Sequence, residues 1–320
     1  MPETTQGRRA RHEAGRVRSH AFRSLLIPVD LSAAMEKVLE RAALLPLARN
    51  AQLTLLHVVP RLLLREARLR AESDAREALE LAARKLAPKL PESAKAVPLV
   101  VAGVAAAEIA RHARLHKAEL IVMGRGGGRA LRELFLGSTA ERVIRRGRLP
   151  VLTVRLRPRG TYRRPLLALD TDQAAREVLA MALRVFPPPC PRIELVHAYD
   201  APYHGLIYPS LSPEQGQEYR KYYRQKALHD IARTIATTLT EVKAPPSDGL
   251  SWKSHIQHGS PRTIIPEAVA KLRTDLLMLG THGRAGIAHA LLGTVAGDVL
   301  RDVPCDVLVV PPRSPSTSKS

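Results

Sequence analysis

Gly124-Arg125-Gly126-Gly127, then nine residues, then Gly137-Ser138: this spacing closes the first half of the chain. Gly280-Thr281-His282-Gly283, nine residues, then Gly293-Thr294 repeats it near the end of the second half. Each copy follows a short apolar run, Leu120 to Met123 and Leu276 to Leu279, and each precedes a helix-like segment. At ordinary glycine usage chance supplies such a pattern in about one chain in a hundred. Two copies at matching places therefore define a duplicated unit. Glycine lets the backbone turn tightly and approach a ligand with no side chain between. A Gly-Ser or Gly-Thr step at a helix start adds free N–H groups, a hydroxyl and the positive end of the helix dipole, so the unit reads as an anion cradle.

Outward from these loops, apolar runs alternate with helical patterns, the signature of a parallel sheet. The first half predicts strands at Leu25 to Val29, Leu53 to Val59, Val97 to Ala102, Glu119 to Met123 and Pro150 to Val154. Helices are expected from a Ser32 cap to about Arg49, over Leu63 to Lys89, over Ala105 to His116, and from Ser138 to about Gly147. The second half repeats the order with strands at Leu166 to Leu169, Ile193 to His197, Ser251 to Gln257, Asp275 to Leu279 and Asp306 to Val310, and a helix from Thr294. Asp30 to Asp170 and His57 to His197 are each 140 residues apart; Gly103 to Gly259, Gly124 to Gly280 and Gly137 to Gly293 are each 156 apart. The second copy thus carries 16 extra residues between its second and third strands, and six of the seven tyrosines sit there, between Tyr199 and Tyr223. A longer helix packed on its own loop, a lid over a ligand and an oligomer contact are the readings of that insertion.

Composition narrows the class. A chain of 320 residues has room for two domains. With 45% apolar but 3% aromatic residues, its cores must rest on Leu, Val, Ala and Ile. No apolar stretch reaches the length of a membrane span. The Arg-rich residues 1–22 lack the apolar block of a secretory signal. The two cysteines fit a reducing compartment and exclude a disulfide framework: Cys305 reads as core and Cys190 as a loop thiol. A cytoplasmic protein is expected. The net charge of +20 is lopsided, with +16 in residues 1–160, partly in the tail and partly around the first glycine loop (Arg125, Arg129, Arg132, Arg142, Arg145, Arg146, Arg148). Such charge favours anionic partners, but no aromatics interleave these arginines to stack bases, so nucleic acid is not the expected partner.

Asp30 closes the first strand and Gly124 opens the loop after the fourth, so both should reach the carboxyl edge where an open parallel sheet binds ligands. An acid there suits ribose hydroxyls, or a divalent metal carried on phosphates. No P-loop lysine occurs, and Arg129 breaks a dinucleotide fingerprint. Ser138-Thr139 lacks a nucleophile elbow, no catalytic dyad stands out, and His112 with His116 reads as a solvated helix face, not a metal site.

With the "Ile-Pro-Val-Asp" strand (Ile27 to Asp30), "Leu-His-Val-Val" (Leu56 to Val59) and "Leu-Pro-Val-Leu-Thr-Val" (Leu149 to Val154), the glycine pattern resembles the universal stress protein family. The resemblance implies α/β architecture: two tandem open parallel five-stranded sheets in the order 3-2-1-4-5, Rossmann-like and similar to the adenine-nucleotide alpha-hydrolases. It implies domains at 23–156 and 165–312; composition sets off a linker at 157–164, a basic flexible tail at 1–22 and a Pro- and Ser-rich disordered tail at 313–320. Members with this motif bind ATP, with or without Mg²⁺. By position, Asp30 and Asp170 would meet ribose, and the backbone at Val58 and Ala198 the adenine. Gly124, Gly127, Gly137 and Ser138 would hold phosphates in one copy; Gly280, Gly283, Gly293 and Thr294 in the other. Pro28, Val29 and Thr139 complete the expected nucleotide-binding set. The fifth strands would pair as an internal pseudo-dimer, with a further homodimer as an option. The resulting expectation is an ATP-binding stress-response sensor, catalysing at most slow hydrolysis. Its alternatives are a true ATPase or nucleotide-modifying enzyme, with His282 as its one nameable base, and an adaptor for nucleic acid or acidic partners working through the Arg-rich first half.

Overall fold

The computed structural model describes residues 21–125, 138–146, 149–170, 173–187, 192–199, 212–241, 251–281 and 294–312. The first half contributes β1 (Phe22–Pro28), α1 (Met35–Ala43), β2 (Leu47–Pro60), α2 (Arg65–Leu86), β3 (Lys95–Gly103), α3 (Ala105–Leu115), β4 (Leu120–Gly124), α4 (Ser138–Arg145) and β5 (Val151–Val154). The second contributes β6 (Pro165–Ala168), α5 (Gln173–Val185), β7 (Ile193–Tyr199), α6 (Pro213–Glu241), β8 (Trp252–His258), α7 (Pro261–Leu272), β9 (Leu276–Gly280), α8 (Thr294–Asp302) and β10 (Asp306–Val310).

The strands form one sheet of ten, ordered β3-β2-β1-β4-β5-β10-β9-β6-β7-β8. Each half runs parallel in the order 3-2-1-4-5. The two meet through an antiparallel pairing of the fifth strands, Val307 opposite Thr153, Leu308 opposite Leu152 and Val309 opposite Val151. The sheets expected as two are therefore continuous. Alternation along each strand sends side chains to two apolar layers. Leu25 and Ile27 face one layer, with α1, α2, α5 and α6. Leu26 faces the other, with α3, α4, α7 and α8. A single apolar layer on each face thus spans both halves.

Two local expectations fail for identifiable reasons. The helix predicted to reach Arg49 stops at Ala43, because Pro46 has no N–H to donate and bars Leu45 from helical geometry. Residues 47–50 instead extend β2 to 14 residues. Ser32 does not cap α1: its Oγ accepts from Ala34 N at 3.2 Å, and its carbonyl from Met35 N at 2.9 Å, closing a turn before the helix.

The duplication is visible in boundary details. Lys117 (φ 48°) and Arg273 (φ 50°) both take the left-handed conformation that ends a helix. Glu119 then accepts from Arg23 N at 2.6 Å, and Asp275 from Arg163 N at 2.7 Å and Arg164 N at 2.9 Å. In each half an acid before the fourth strand holds the entry of the first.

The join is not duplicated. Asp306, fully buried, accepts from Arg155 N at 2.7 Å and Leu156 N at 2.8 Å on Oδ1. Its Oδ2 accepts from the Tyr162 hydroxyl at 2.7 Å and lies 3.3 Å from Arg41 Nε. Arg41 also sits 3.8 Å over the Tyr162 ring and donates to Gly160 O at 2.9 Å. The Arg155 guanidinium donates to the carbonyls of Leu300 and Val303 at the end of α8. Burial brings its pKa down to about 10, which still leaves it charged at neutral pH. The segment read from sequence as a linker is thus tied to both halves.

Candidate functional site

The strand order reverses between β1 and β4 in the first half and between β6 and β9 in the second. At such a point two adjacent strands send their following loops to opposite faces and leave a crevice. Leu26 lies opposite Ile121, so the chain emerging as Pro28-Val29-Asp30 stands beside Gly124. Ala168 lies opposite Leu279, so Leu169-Asp170 stands beside Gly280. Val58 and Ala198, on β2 and β7, approach the same edge and are packed only partly into the core.

The acidic ends are held alike. Val29 N donates to Leu56 O at 2.9 Å, and Leu169 N to Val196 O at 3.0 Å. The carbonyls of the same two residues meet histidine rings: His57 Nδ1 lies 2.9 Å from Val29 O, and His197 Nδ1 lies 2.7 Å from Leu169 O. A carbonyl can only accept, so each ring carries its proton on Nδ1. The paired histidines therefore fix the backbone immediately before Asp30 and Asp170. Their 140-residue offset marks the two histidines as equivalent; the role itself shows only in the structure. Asp30 is exposed, and its Oδ1 accepts from Ser32 N at 3.1 Å. Leu31 between them is left-handed, φ 57°, a costly conformation for a bulky side chain that marks a constrained turn.

At Gly124 an added Cβ would meet, among the described residues, Val38 Cγ2 at 3.5 Å, an ordinary van der Waals contact. Gly103 and Gly259 close the third strands for different reasons. A Cβ on Gly103 would come 2.4 Å from Glu108 Cγ, whereas Gly259 has φ 131°. Gly103→Ala is expected to displace Glu108 from its 2.7 Å ion pair with Arg111 and to cost about 1–3 kcal/mol, measured by urea unfolding.

Ser138 and Thr294 begin α4 and α8, and Thr139 is half-buried. Gly127, Gly137, Gly283, Gly293 and His282 lie outside the described residues, as do Tyr203, Tyr208 and Cys190. Arg125 donates to Arg301 O at 3.1 Å, so one of the loop arginines links the halves. His112 corrects the solvated reading of its helix. It is 7% exposed and stacked on His116 with 5.6 Å between centroids. Burial, then Arg111 and His116, hold its pKa below the ordinary value. Cys305 is buried as expected, and burial pushes its thiol up to about 12. Thiol reagents should leave it unmodified at pH 8 unless the chain is unfolded first.

The fold and site define a tandem pair of open α/β units sharing one sheet, each with a glycine-flanked crevice at its switch point. The profile of the universal stress protein family matches residues 21–155 and again 161–311. The chain belongs to that family. A universal stress protein of Staphylococcus aureus strain USA300 is 27% identical over 151 residues, 47% of this chain and 84% of the relative. The crystal structure of a universal stress protein from Archaeoglobus fulgidus DSM 4304 superposes with a TM-score of 0.66 at 20% identity, over 92% of this chain and 99% of that one. One from Pseudomonas aeruginosa UCBPP-PA14 gives 0.59 at 21%, over 91% and 94%. These likenesses concern the fold. No helix among the described residues is long and apolar enough to cross a membrane.

Proposed function

We propose that each half binds one adenine nucleotide, ATP in the first instance, and that the chain is a nucleotide-dependent stress-response regulator with no or slow hydrolysis. The observation that carries this reading is the repeated crevice: an acid after the first strand beside a glycine after the fourth, each acid preceded by a histidine-held carbonyl. The aspartates suit ribose hydroxyls. Gly124 and its counterpart Gly280 have no side chain to hold a phosphate group off the backbone. Val58 and Ala198 offer backbone to an adenine edge. Bound nucleotide would supply phosphates able to carry Mg²⁺; the protein's part is to bind and orient.

The test is the nucleotide content of the purified chain, released by denaturation and resolved by ion exchange. Close to two ATP per chain is expected, and about one would mean that the halves are unequal. ADP alone would shift the reading towards an ATPase. No nucleotide, with none taken up from ATP and Mg²⁺, overturns it.

A further inference from the structure

The outer side of α6 carries chemistry that the strand-edge crevices do not use. Its first half reads Tyr219-Arg220-Lys221-Tyr222-Tyr223-Arg224-Gln225-Lys226. Helical spacing groups Gln215, Glu218, Tyr219, Tyr222, Tyr223 and Lys226 on one side. The rings interlock edge to face, Tyr219 to Tyr223 at 4.7 Å and 62°, Tyr222 to Tyr223 at 5.2 Å and 89°. With Gln215 and Glu218 they line an open hollow of about 410 Å³. Tyr223 packs its base onto the core, while Tyr222 is 62% exposed. α2, at the matching place in the first half, has no aromatic residue.

The same side continues past the rings as Lys226, His229 and Arg233, all exposed. Arg233 keeps its place through Asp230 at 2.9 Å. From Tyr219 to Arg233 the stripe is about 21 Å long, aromatic at one end and cationic at the other, with Lys221 exposed on its flank. An apolar peptide would satisfy the rings but not the cations, and a simple polyanion the reverse. A chain that alternates planar π faces with phosphates satisfies both. The absence of aromatics among the first half's arginines, the ground for setting nucleic acid aside, does not extend to this helix.

We propose that this side of α6 binds single-stranded nucleic acid, with a base stacked on Tyr222 over the hollow, Gln215 and Glu218 facing its edge, and the backbone running along Lys226, His229 and Arg233. The proposal does not depend on nucleotide in the strand-edge crevices.

The test uses the full chain without ATP and a fluorescein-labelled oligothymidylate about twelve nucleotides long, followed by anisotropy over a range of salt. Saturable binding is expected, weakening with salt and competed by unlabelled single strand far better than by duplex. Tyr222→Ala should weaken it about tenfold or more, while Tyr222→Phe, which keeps the ring, stays within about twofold of wild type. Lys226→Ala should lower the salt slope by about 0.7. Tyr222 is mostly exposed, so circular dichroism of these variants should match wild type. Binding unaffected by Tyr222→Ala would assign capture to the basic tail and overturn the proposal. No binding overturns it as well. A dimer that Tyr222→Ala dissociates, with no oligonucleotide bound, assigns the face to a second copy and likewise overturns it.

Discussion

Asp306→Ala is expected to cost about 3–5 kcal/mol of stability, the loss typical of removing one partner from a buried ion pair. The carboxylate is completely enclosed, and its four contacts come from Arg155 N, Leu156 N, the Tyr162 hydroxyl and Arg41 Nε. Without it, the Arg41 guanidinium, 4% exposed, stays buried with no opposing charge. Two backbone N–H groups and a hydroxyl also lose their acceptor, at about 1–3 kcal/mol for each one left unsatisfied. Water entering the gap recovers part of that, which is why the expected total lies below the sum. Asp306→Asn, which keeps one carbonyl oxygen for the backbone donors, should lose less. Combining Asp306→Ala with Arg41→Met should recover part of the loss, because the stranded charge is then gone. Urea unfolding followed by circular dichroism measures all three. A loss below about 1 kcal/mol for Asp306→Ala would mean that the network is hydrated, contrary to its burial.

This network also shows where sequence reading stops. Repeats were legible because both copies obey the same local physics. Glycine spacing, apolar runs and the acid after the first strand all recur at offsets of 140 or 156 residues, and most strands lie within two residues of their expected bounds. Asp306 has no such echo: its counterpart 156 residues earlier is Pro150. A lone acid opening an apolar strand gave no hint that a segment 150 residues distant would supply its donors. The helix end at Ala43 was legible in Pro46, which outweighs the helical pattern on either side of it. Glu119 and Asp275 were equally legible as a pair of acids 156 residues apart, yet their partners are backbone N–H groups that leave no mark in a sequence. At the site, Asp30, Asp170, Gly124 and Gly280 stand at the carboxyl edges that a parallel sheet dictates. His57 and His197 show the limit of that reading. Their spacing was visible, but their role depends on ring nitrogens meeting carbonyls 28 residues away. The α6 stripe needed three dimensions, since Tyr219, Tyr222 and Lys226 become neighbours only on a helix.

Asp30→Ala combined with Asp170→Ala should reduce ATP affinity by about 10- to 150-fold at each site, the worth of a hydrogen bond to a charged group at about 1.5–3 kcal/mol. Either single variant should leave one site at wild-type affinity, so a titration would resolve two classes of equal number. Asp30→Asn serves as the control for folding, because its side-chain oxygen can still accept from Ser32 N, as Asp30 Oδ1 does at 3.1 Å. Gly124→Ala sharpens the distinction between ligand and turn. Among the described residues the new methyl would meet Val38 Cγ2 at an ordinary 3.5 Å, so thermal stability should stay close to wild type. The same methyl occupies the space through which a phosphate oxygen would approach the backbone, so affinity at the first site should fall while the second site is untouched. Lost affinity with retained stability assigns the glycine to the ligand. Lost stability with retained affinity assigns it to the turn. Unchanged ATP affinity in the double aspartate variant would remove the ribose role from Asp30 and Asp170, and with it the main chemical reason for reading the two crevices as nucleotide sites.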